Sequence, residues 1–446
     1  MSGMALAANL VRPVPERGWR RLTALPPPVL FVLLYMVALV AGTVAGVAVG
    51  YAANPGQLDF DEREYWGLSS QLLDGHFAIF PRRTAAYPLI LAALRLVSSS
   101  FLVTQMLVTA VFALSAPMLF LLVRRLSGST PTGALAGLLF ALWPPTTYFG
   151  ASLYSETAAL PVFLLALWLV PPGDHVAGRA TPTRAAEALA AGVVLAVTTQ
   201  IRSMYLLFLP FALLAVLVEE RRRRVAAARA LMLLAGFVAT TLPWSAYMTL
   251  RFHHPIIVTA NGGETLAGGL SPRLLQTGAG DRLTLPDRST WVGPGKWLPL
   301  NENGYLSADE QRTLPYDRQD ALLQQRALAW ARADPGDALY LEFCKLGYMW
   351  GVYRMADNGL GQLLLGSLPV VALLLAALIA MARQPRLAWR AARLWAVPLF
   401  VSLVALISWG SWRFRQPADA ALIGMATIGW TMRRDHVSAR KKRHVA

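Results

Sequence analysis

The 446-residue chain is short of charge, of cysteine and of the common soluble-enzyme motifs, and each shortage removes a class of protein. Asp, Glu, Lys and Arg make up 15% of it, against roughly 25% in an ordinary soluble domain. That is too little to coat the roughly three globules this length would otherwise suggest. Disorder is excluded from the other side, because 55% of the residues are hydrophobic and disordered segments are poor in such residues. One cysteine, Cys344, rules out an internal disulfide framework and a multi-cysteine metal cluster. There is no GxGxxG ahead of a helix, no Walker loop, no HExxH and no GxSxG. The six histidines are scattered, and the adjacent pair His253-His254 has no further residue at metal-ligand spacing.

What the chain has instead is long uncharged stretches. Segments 22–58, 96–123, 126–155, 230–250, 358–382 and 394–412 contain no Asp, Glu, Lys or Arg, and a bilayer core about 30 Å thick needs roughly 20 such residues per helix. Shorter uncharged runs lie at 157–173, 188–201, 203–218 and 420–432. The expected fold is an all-α polytopic membrane protein with about ten transmembrane helices. They are placed near 29–51, 101–123, 131–147, 153–170, 187–201, 203–218, 229–250, 360–382, 394–411 and 416–432. The first apolar run is about twice the length of a signal-peptide core, so it is expected to stay as an anchor.

The charges support this layout. Segments 1–28, 124–130, 171–187, 219–229, 383–393 and 433–446 hold 23 Lys/Arg and 6 Asp/Glu, and the rest of the chain holds 18 and 19. The whole net charge of +16 therefore falls on one side, as expected of cytoplasmic loops. Basic clusters such as Arg221 to Arg224 and Arg440 to Arg443 then read as topology anchors against anionic lipid, and no nucleic-acid partner is called for. The expected organisation is a cytoplasmic basic tail at 1–28 and a transmembrane core at 29–250 with a first external loop at 52–100. An external loop domain at 251–357, C-terminal spans at 358–432 and a cytoplasmic basic tail at 433–446 follow. In the loop domain, Leu323, Ala327 and Trp330 share a helix face, and Asp334-Pro335 reads as a cap and N1 proline opening a helix to about Met349.

The residues that break the membrane pattern carry the chemistry. Asp59-Phe60-Asp61-Glu62-Arg63-Glu64-Tyr65 follows the first span directly. It opens a helix with Asp61 near its N-terminus, and an N-cap needs one acid where this turn holds four. Arg82-Arg83 close the same loop, on the side where the positive-inside rule gives basic residues no advantage. Glu156 sits between two uncharged runs, and an ionisable residue there is a functional candidate. Arg202, Arg413 and Arg415 fall at separate external turns. They could converge on one anion or pair internally with Glu156 or Asp419. His76 lies in the acidic loop.

In this order the features resemble the GT-C superfamily of membrane glycosyltransferases. They are most similar to bacterial relatives of protein O-mannosyltransferases and of the lipid A aminoarabinose transferase, glycosyltransferase family 39-like. Asp61-Glu62-Arg63-Glu64-Tyr65 stands for the family's Asp-Glu pair followed by Tyr, and Arg83 with Tyr87-Pro88-Leu89 for its basic residue and Tyr-Pro-Leu. Ser155-Glu156-Thr157 matches a Ser-Glu-Thr, and Thr199-Gln200-Ile201-Arg202 a Thr-Arg with two residues inserted. Arg413-Phe414-Arg415-Gln416-Pro417 matches an Arg-x-Arg-x-x-Pro. The resemblance covers roughly residues 29–430 and is not specific for a sugar.

It implies an enzyme that moves a hexosyl or pentosyl group from a polyprenyl-phosphate donor to an acceptor hydroxyl on the external face, with inversion. The acceptor would be a lipid, a glycan or a protein. Asp61 would be the general base, with its pKa raised by Asp59, Glu62 and Glu64. Glu156 would orient the acceptor. Arg83, Arg202, Arg413 and Arg415 would bind the donor phosphate. Asp59, Glu62, Tyr65, Arg82 and His76 are secondary candidates. No cofactor is identified, and Asp61 and Glu156 could share a divalent cation, magnesium or manganese. The expected location is a bacterial inner membrane with both termini cytoplasmic. The other classes open at this point are a transporter or flippase of lipid-linked sugars and a membrane-anchored assembly or binding protein.

Overall fold

The computed structural model describes residues 24–76, 82–98, 100–173, 182–276, 282–285, 288–291, 293–352, 363–384 and 389–443. The expected basic tail at 1–28 lies almost wholly outside the described residues, as do the side chains of the tail at 433–446. Among the described residues the chain is helical apart from one antiparallel hairpin, Arg282–Leu285 with Arg288–Trp291, in which Arg282 faces Trp291. That hairpin is the one departure from the all-α expectation.

Four helices are long and apolar enough to cross a bilayer: Pro27–Ala48, Phe101–Ser127, Arg184–Ile201 and Arg223–Phe252. The pair Pro144–Gly150 and Ser155–Leu169 adds a fifth if it counts as one span. The expected spans near 131–147, 203–218, 360–382 and 394–411 correspond to shorter apolar helices, Thr130–Ala141, Ser203–Glu219, Leu368–Arg383 and Ala392–Ile407. Proline accounts for one of these breaks. Pro144-Pro145 disfavours helical backbone at Trp143, so the chain stops at Ala141 and restarts as a seven-residue helix with proline in its first turn. It then bends by 119° into Ser155–Leu169. The last helix, Gln416–Arg443, is 28 residues long.

Two glycines allow a close helix contact. A Cβ on Gly192 would lie 1.9 Å from the Leu233 carbonyl oxygen, and one on Gly236 would lie 2.2 Å from that of Leu189. Only glycine lets Pro182–Ile201 and Arg223–Phe252 approach this far. The core continues into an aromatic cluster in which Phe163 packs on Tyr205 and Phe208 at 4.7 and 4.8 Å between ring centres, and Phe400 closes on Phe208 at 5.3 Å.

The end of the bundle with the basic turns is pinned by ion pairs. Arg393 bonds Glu219 and the carbonyls of Leu167, Val170 and Pro171, so one buried guanidinium ties three chain segments. Arg229 pairs with Glu220 at 2.6 Å and Arg125 with Glu187 at 2.6 Å. Among the described residues, Glu187, Glu219 and Glu220 on this side are thus each the partner of an arginine.

The segment between Phe252 and the Leu368–Arg383 helix is mostly helical, as its second half predicts. Leu323 and Ala327 are fully buried on the Tyr316–Ala333 helix, and Pro335–Met349 follows with proline in its first turn. Asp334 precedes it, but its side chain makes no capping bond.

Candidate active site

Five short pieces of chain meet at the end of the bundle that carries this inserted segment. The first is the Phe60–Leu73 helix. Its capping is done by Asp59 and Glu62, which form a reciprocal capping box. Asp59 also receives the Tyr154 hydroxyl at 2.6 Å, and Glu62 receives the Leu153 amide at 2.8 Å. These two secondary candidates therefore tie the helix start to the 153–154 turn, which leaves Asp61 with no capping duty.

Asp61 is bonded at both oxygens by guanidinium groups. Oδ1 accepts from Arg83 Nη2, and Oδ2 accepts from Arg413 Nη2 at 2.6 Å. Arg83 is held a second time by Glu64 Oε2, at 2.9 Å from Nε and 2.7 Å from Nη2. Glu64 lies one helix turn beyond Asp61, a spacing of three residues that places both carboxylates on one face.

Glu156 is buried in the first turn of Ser155–Leu169, where the helix dipole favours a carboxylate. Its Oε1 lies 2.8 Å from Arg413 Nε and 3.2 Å from Arg202 Nη2. Both are ion-pair contacts off the line of a hydrogen bond, so this buried oxygen has no hydrogen-bond donor. Arg202 sits in extended backbone between the Pro182–Ile201 helix and the next 3₁₀ turn, which frees its side chain to reach the Tyr65 and Ser155 hydroxyls, each at 3.4 Å. The Tyr65 and Ser155 hydroxyls bond each other at 3.1 Å.

The cluster is thus Arg83, Arg202 and Arg413 against Asp61, Glu64 and Glu156. The internal pairing left open by the sequence is what the resting structure shows. Burial alone would push the Asp61 carboxyl up, but Arg83, Arg413 and Arg202 hold it well below the usual carboxylate range. The expectation that Asp59, Glu62 and Glu64 raise its pKa is corrected here. Asp59 and Glu62 spend their oxygens on backbone and Tyr154, and the guanidinium groups dominate.

Arg415 is not part of this group. It follows Arg413 by two residues in the Trp412–Arg415 3₁₀ turn, and at three residues per turn the two side chains leave in different directions. Arg415 pairs with Asp419 at 3.0 Å and donates to the Met349 carbonyl, and Trp143 bonds the other Asp419 oxygen. His76 is also elsewhere. It is exposed past the far end of Phe60–Leu73, on the order of 20 Å along the axis from Asp61 at 1.5 Å per residue. Arg82 turns away from Arg83 to bond Glu264 at 2.5 Å, and Tyr316 bonds the other Glu264 oxygen at 2.6 Å.

A cavity of about 840 Å³ adjoins the cluster. Tyr65, Arg83 and Arg202 line it where the cluster meets it, and Met204, Leu207 and Ile407 give it an apolar side. The inserted segment adds both kinds of lining, Ile256, Ile257 and Val258 with Asn261, Asp317 and Gln324. Among the described residues no group of three or more His, Cys, Asp or Glu side chains could hold a metal ion. Asp61 and Glu156 do not fit a shared divalent cation, because the Arg413 guanidinium already bonds both of them.

Sequence reasoning left Glu64, Ser155, Glu264 and Tyr316 out of the site. The three-residue spacing from Asp61 was the one signal that could have flagged Glu64.

Comparison with known proteins finds no matching family profile and no matching curated protein. Among solved structures the chain is similar to the archaeal oligosaccharyltransferase AglB from Archaeoglobus fulgidus, determined in complex with an inhibitory peptide and a dolichol-phosphate. The identity is 13% and the TM-score 0.49, with 92% of this chain and 51% of that chain covered. The chain thus spans about half the length of that structure.

Proposed function

We propose that this protein is a membrane glycosyltransferase. It would take a sugar from a polyprenyl-phosphate donor and place it on an acceptor hydroxyl at the external face. The observation that carries this reading is the arginine cluster around Asp61 beside a cavity lined by both apolar and polar side chains. A lipid-linked phosphate needs that combination: apolar surface for the prenyl chain, guanidinium groups for the phosphate and a carboxylate nearby.

In this reading Arg83 and Arg202, which face the cavity, hold the donor phosphate, with Arg413 behind them. The acceptor oxygen attacks the anomeric carbon as the bond from that carbon to the phosphate oxygen breaks. The acceptor proton passes to Asp61, and the leaving group departs as polyprenyl phosphate, its charge matched by the arginines. A single displacement inverts the anomeric centre. Glu156 positions Arg413 and Arg202. Arg415 is left out of the phosphate set because Asp419 and Met349 hold it. The protein would sit in a bacterial inner membrane with its basic turns inside.

The test is transfer from a polyprenyl-phosphate sugar in membranes with equal protein levels. Loss of a general base typically lowers a rate on the order of a hundredfold to ten-thousandfold, and Asp61→Asn should fall in that range. Asp59→Asn keeps the cap and should lose far less. Near-normal transfer by Asp61→Asn would remove Asp61 as base.

A further inference from the structure

We infer that the donor phosphate is what makes Asp61 available as a base, by displacing it from Arg83, so that donor must bind before acceptor can react. This rests on the glycosyltransferase reading above and adds an order of events to it.

In the resting structure Asp61 is a weak base, because its ion pairs favour the charged form. Each oxygen already faces a guanidinium, Oδ1 that of Arg83 and Oδ2 that of Arg413. The two contacts differ in what lies behind them. Arg83 lines the cavity and Arg413 does not. An anion arriving through the cavity therefore meets Arg83 first and competes with Asp61 Oδ1, while Oδ2 keeps its bond to Arg413. The carboxylate is then half released. It remains oriented through Oδ2 and exposes Oδ1 toward the cavity side.

Glu64 makes the exchange workable. It accepts from both Nε and Nη2 of Arg83, so Arg83 stays anchored when Asp61 lets go. We assign Glu64 as a positioning residue on that ground. Glu156 holds Arg413 and Arg202 by charge alone, its Oε1 lying 2.8 and 3.2 Å from their nitrogens without a hydrogen bond to either. Of the two carboxylates beside Arg413, Asp61 is the more exposed, 16% against 3% for Glu156; Glu64, 20% exposed, holds Arg83 by two nitrogens where Asp61 holds it by one. With three guanidinium groups against three carboxylates, a phosphate cannot enter without weakening one existing pair.

The experiment uses the full chain in lipid nanodiscs and a water-soluble carbodiimide with an amine. Labelling at Asp61 is read by fragment mass spectrometry with no addition, with a polyprenyl phosphate, with the corresponding polyprenol, and with inorganic phosphate. Protection of Arg83 and Arg202 from an arginine reagent reports binding in parallel. Polyprenyl phosphate should protect the arginines and raise Asp61 labelling several-fold, and the other two additions should do neither. If the arginines are protected while Asp61 labelling stays flat or falls, the release is wrong and the phosphate site stands. If polyprenyl phosphate protects nothing, the phosphate site itself fails and this inference with it. If inorganic phosphate releases Asp61 equally, commitment to a lipid phosphate is overturned. A second readout follows Glu64. Glu64→Gln should raise the donor KM on the order of tenfold and lower kcat less, with Glu64→Asp restoring part of the loss. Equal falls in kcat and kcat/KM would overturn the positioning role.

Discussion

Arg413 offers the sharpest test of the cluster, because one guanidinium serves two carboxylates. Its Nη2 is 2.6 Å from Asp61 Oδ2 and its Nε is 2.8 Å from Glu156 Oε1. Arg413→Ala leaves Glu156 facing Arg202 alone, at 3.2 Å. Removing one partner of a buried pair costs about 3–5 kcal/mol. Both carboxylates keep a second cation here, so the lower end, about 3 kcal/mol, is expected. Adding Glu156→Gln removes the stranded charge, and the double variant should recover about 1–2 kcal/mol, a coupling typical of residues in direct contact. Arg413→Lys keeps the charge, but one ammonium cannot reach both carboxylates from the directions that Nε and Nη2 take. It should recover less than half of the alanine loss. The measurement is equilibrium unfolding of the purified protein in nanodiscs, arranged as a double-mutant cycle. If the two substitutions add to within about 0.5 kcal/mol, Arg413 and Glu156 are not coupled and the cluster described here is wrong.

Further outcomes follow from other parts of the fold. Gly192→Ala and Gly236→Ala should each lower the thermal midpoint clearly, because each Cβ would meet a backbone oxygen at about 2 Å, and a thermal melt of each variant checks it. Glu219→Gln should cost about 3 kcal/mol or more in the same unfolding assay, since it strands the buried Arg393. The protein that remains folded should keep its transfer rate. Asp61 has a folded pKa below its ordinary value of 3.8, so its ion pairs stabilise the fold above the usual carboxylate range and that contribution disappears as pH falls below it. Asp61→Asn should therefore flatten the acid side of the stability profile, and an unchanged acid limb would contradict the pairing. Reporter fusions at Gly128, Pro172 and Glu220 should read cytoplasmic and one at Gly75 external, with the opposite pattern refuting the proposed orientation.

The sequence carried the membrane character and the residues of the cluster better than it carried their arrangement. Glu156 and Arg202 stand out as charges in an uncharged setting, and Asp61, Arg83 and Arg413 as charged clusters beside the expected spans, and these exceptions are visible without any coordinates. Their pairing is not visible. Asp61 and Arg413 are 352 positions apart, and no local rule places the Trp412–Arg415 turn over the Phe60–Leu73 helix. The same ignorance put Arg415 with Arg413, because two arginines at a spacing of two look equivalent until the 3₁₀ turn separates them. Lengths of apolar runs overstated the regularity of the spans. A run such as 126–155 is uniformly uncharged, yet it holds two separate helices, Thr130–Ala141 and Pro144–Gly150, with Pro144-Pro145 at the break. Uncharged length says that a stretch can lie in lipid; where its backbone stays straight is decided by proline and by what packs beside it.

Ion pairs occur at both ends of the bundle, and their surroundings separate scaffold from chemistry. Arg393 is saturated: Glu219 and three carbonyls take its donors, and its side chain and that of Glu219 are each 1% exposed. Such a group has no donor to offer a ligand, and moving it would leave several buried acceptors unpaired at once. The Asp61 cluster has the opposite character. Two of its carboxylates, Asp61 and Glu64, are partly exposed, one of its buried oxygens meets its arginines without a hydrogen bond, and two of its arginines face a cavity large enough for a ligand. A buried network that is complete serves the fold, whereas one left incomplete beside open space can exchange a partner without tearing the fold apart. That difference selects the Asp61 end over the Arg393 end as the place where a phosphate can enter and leave.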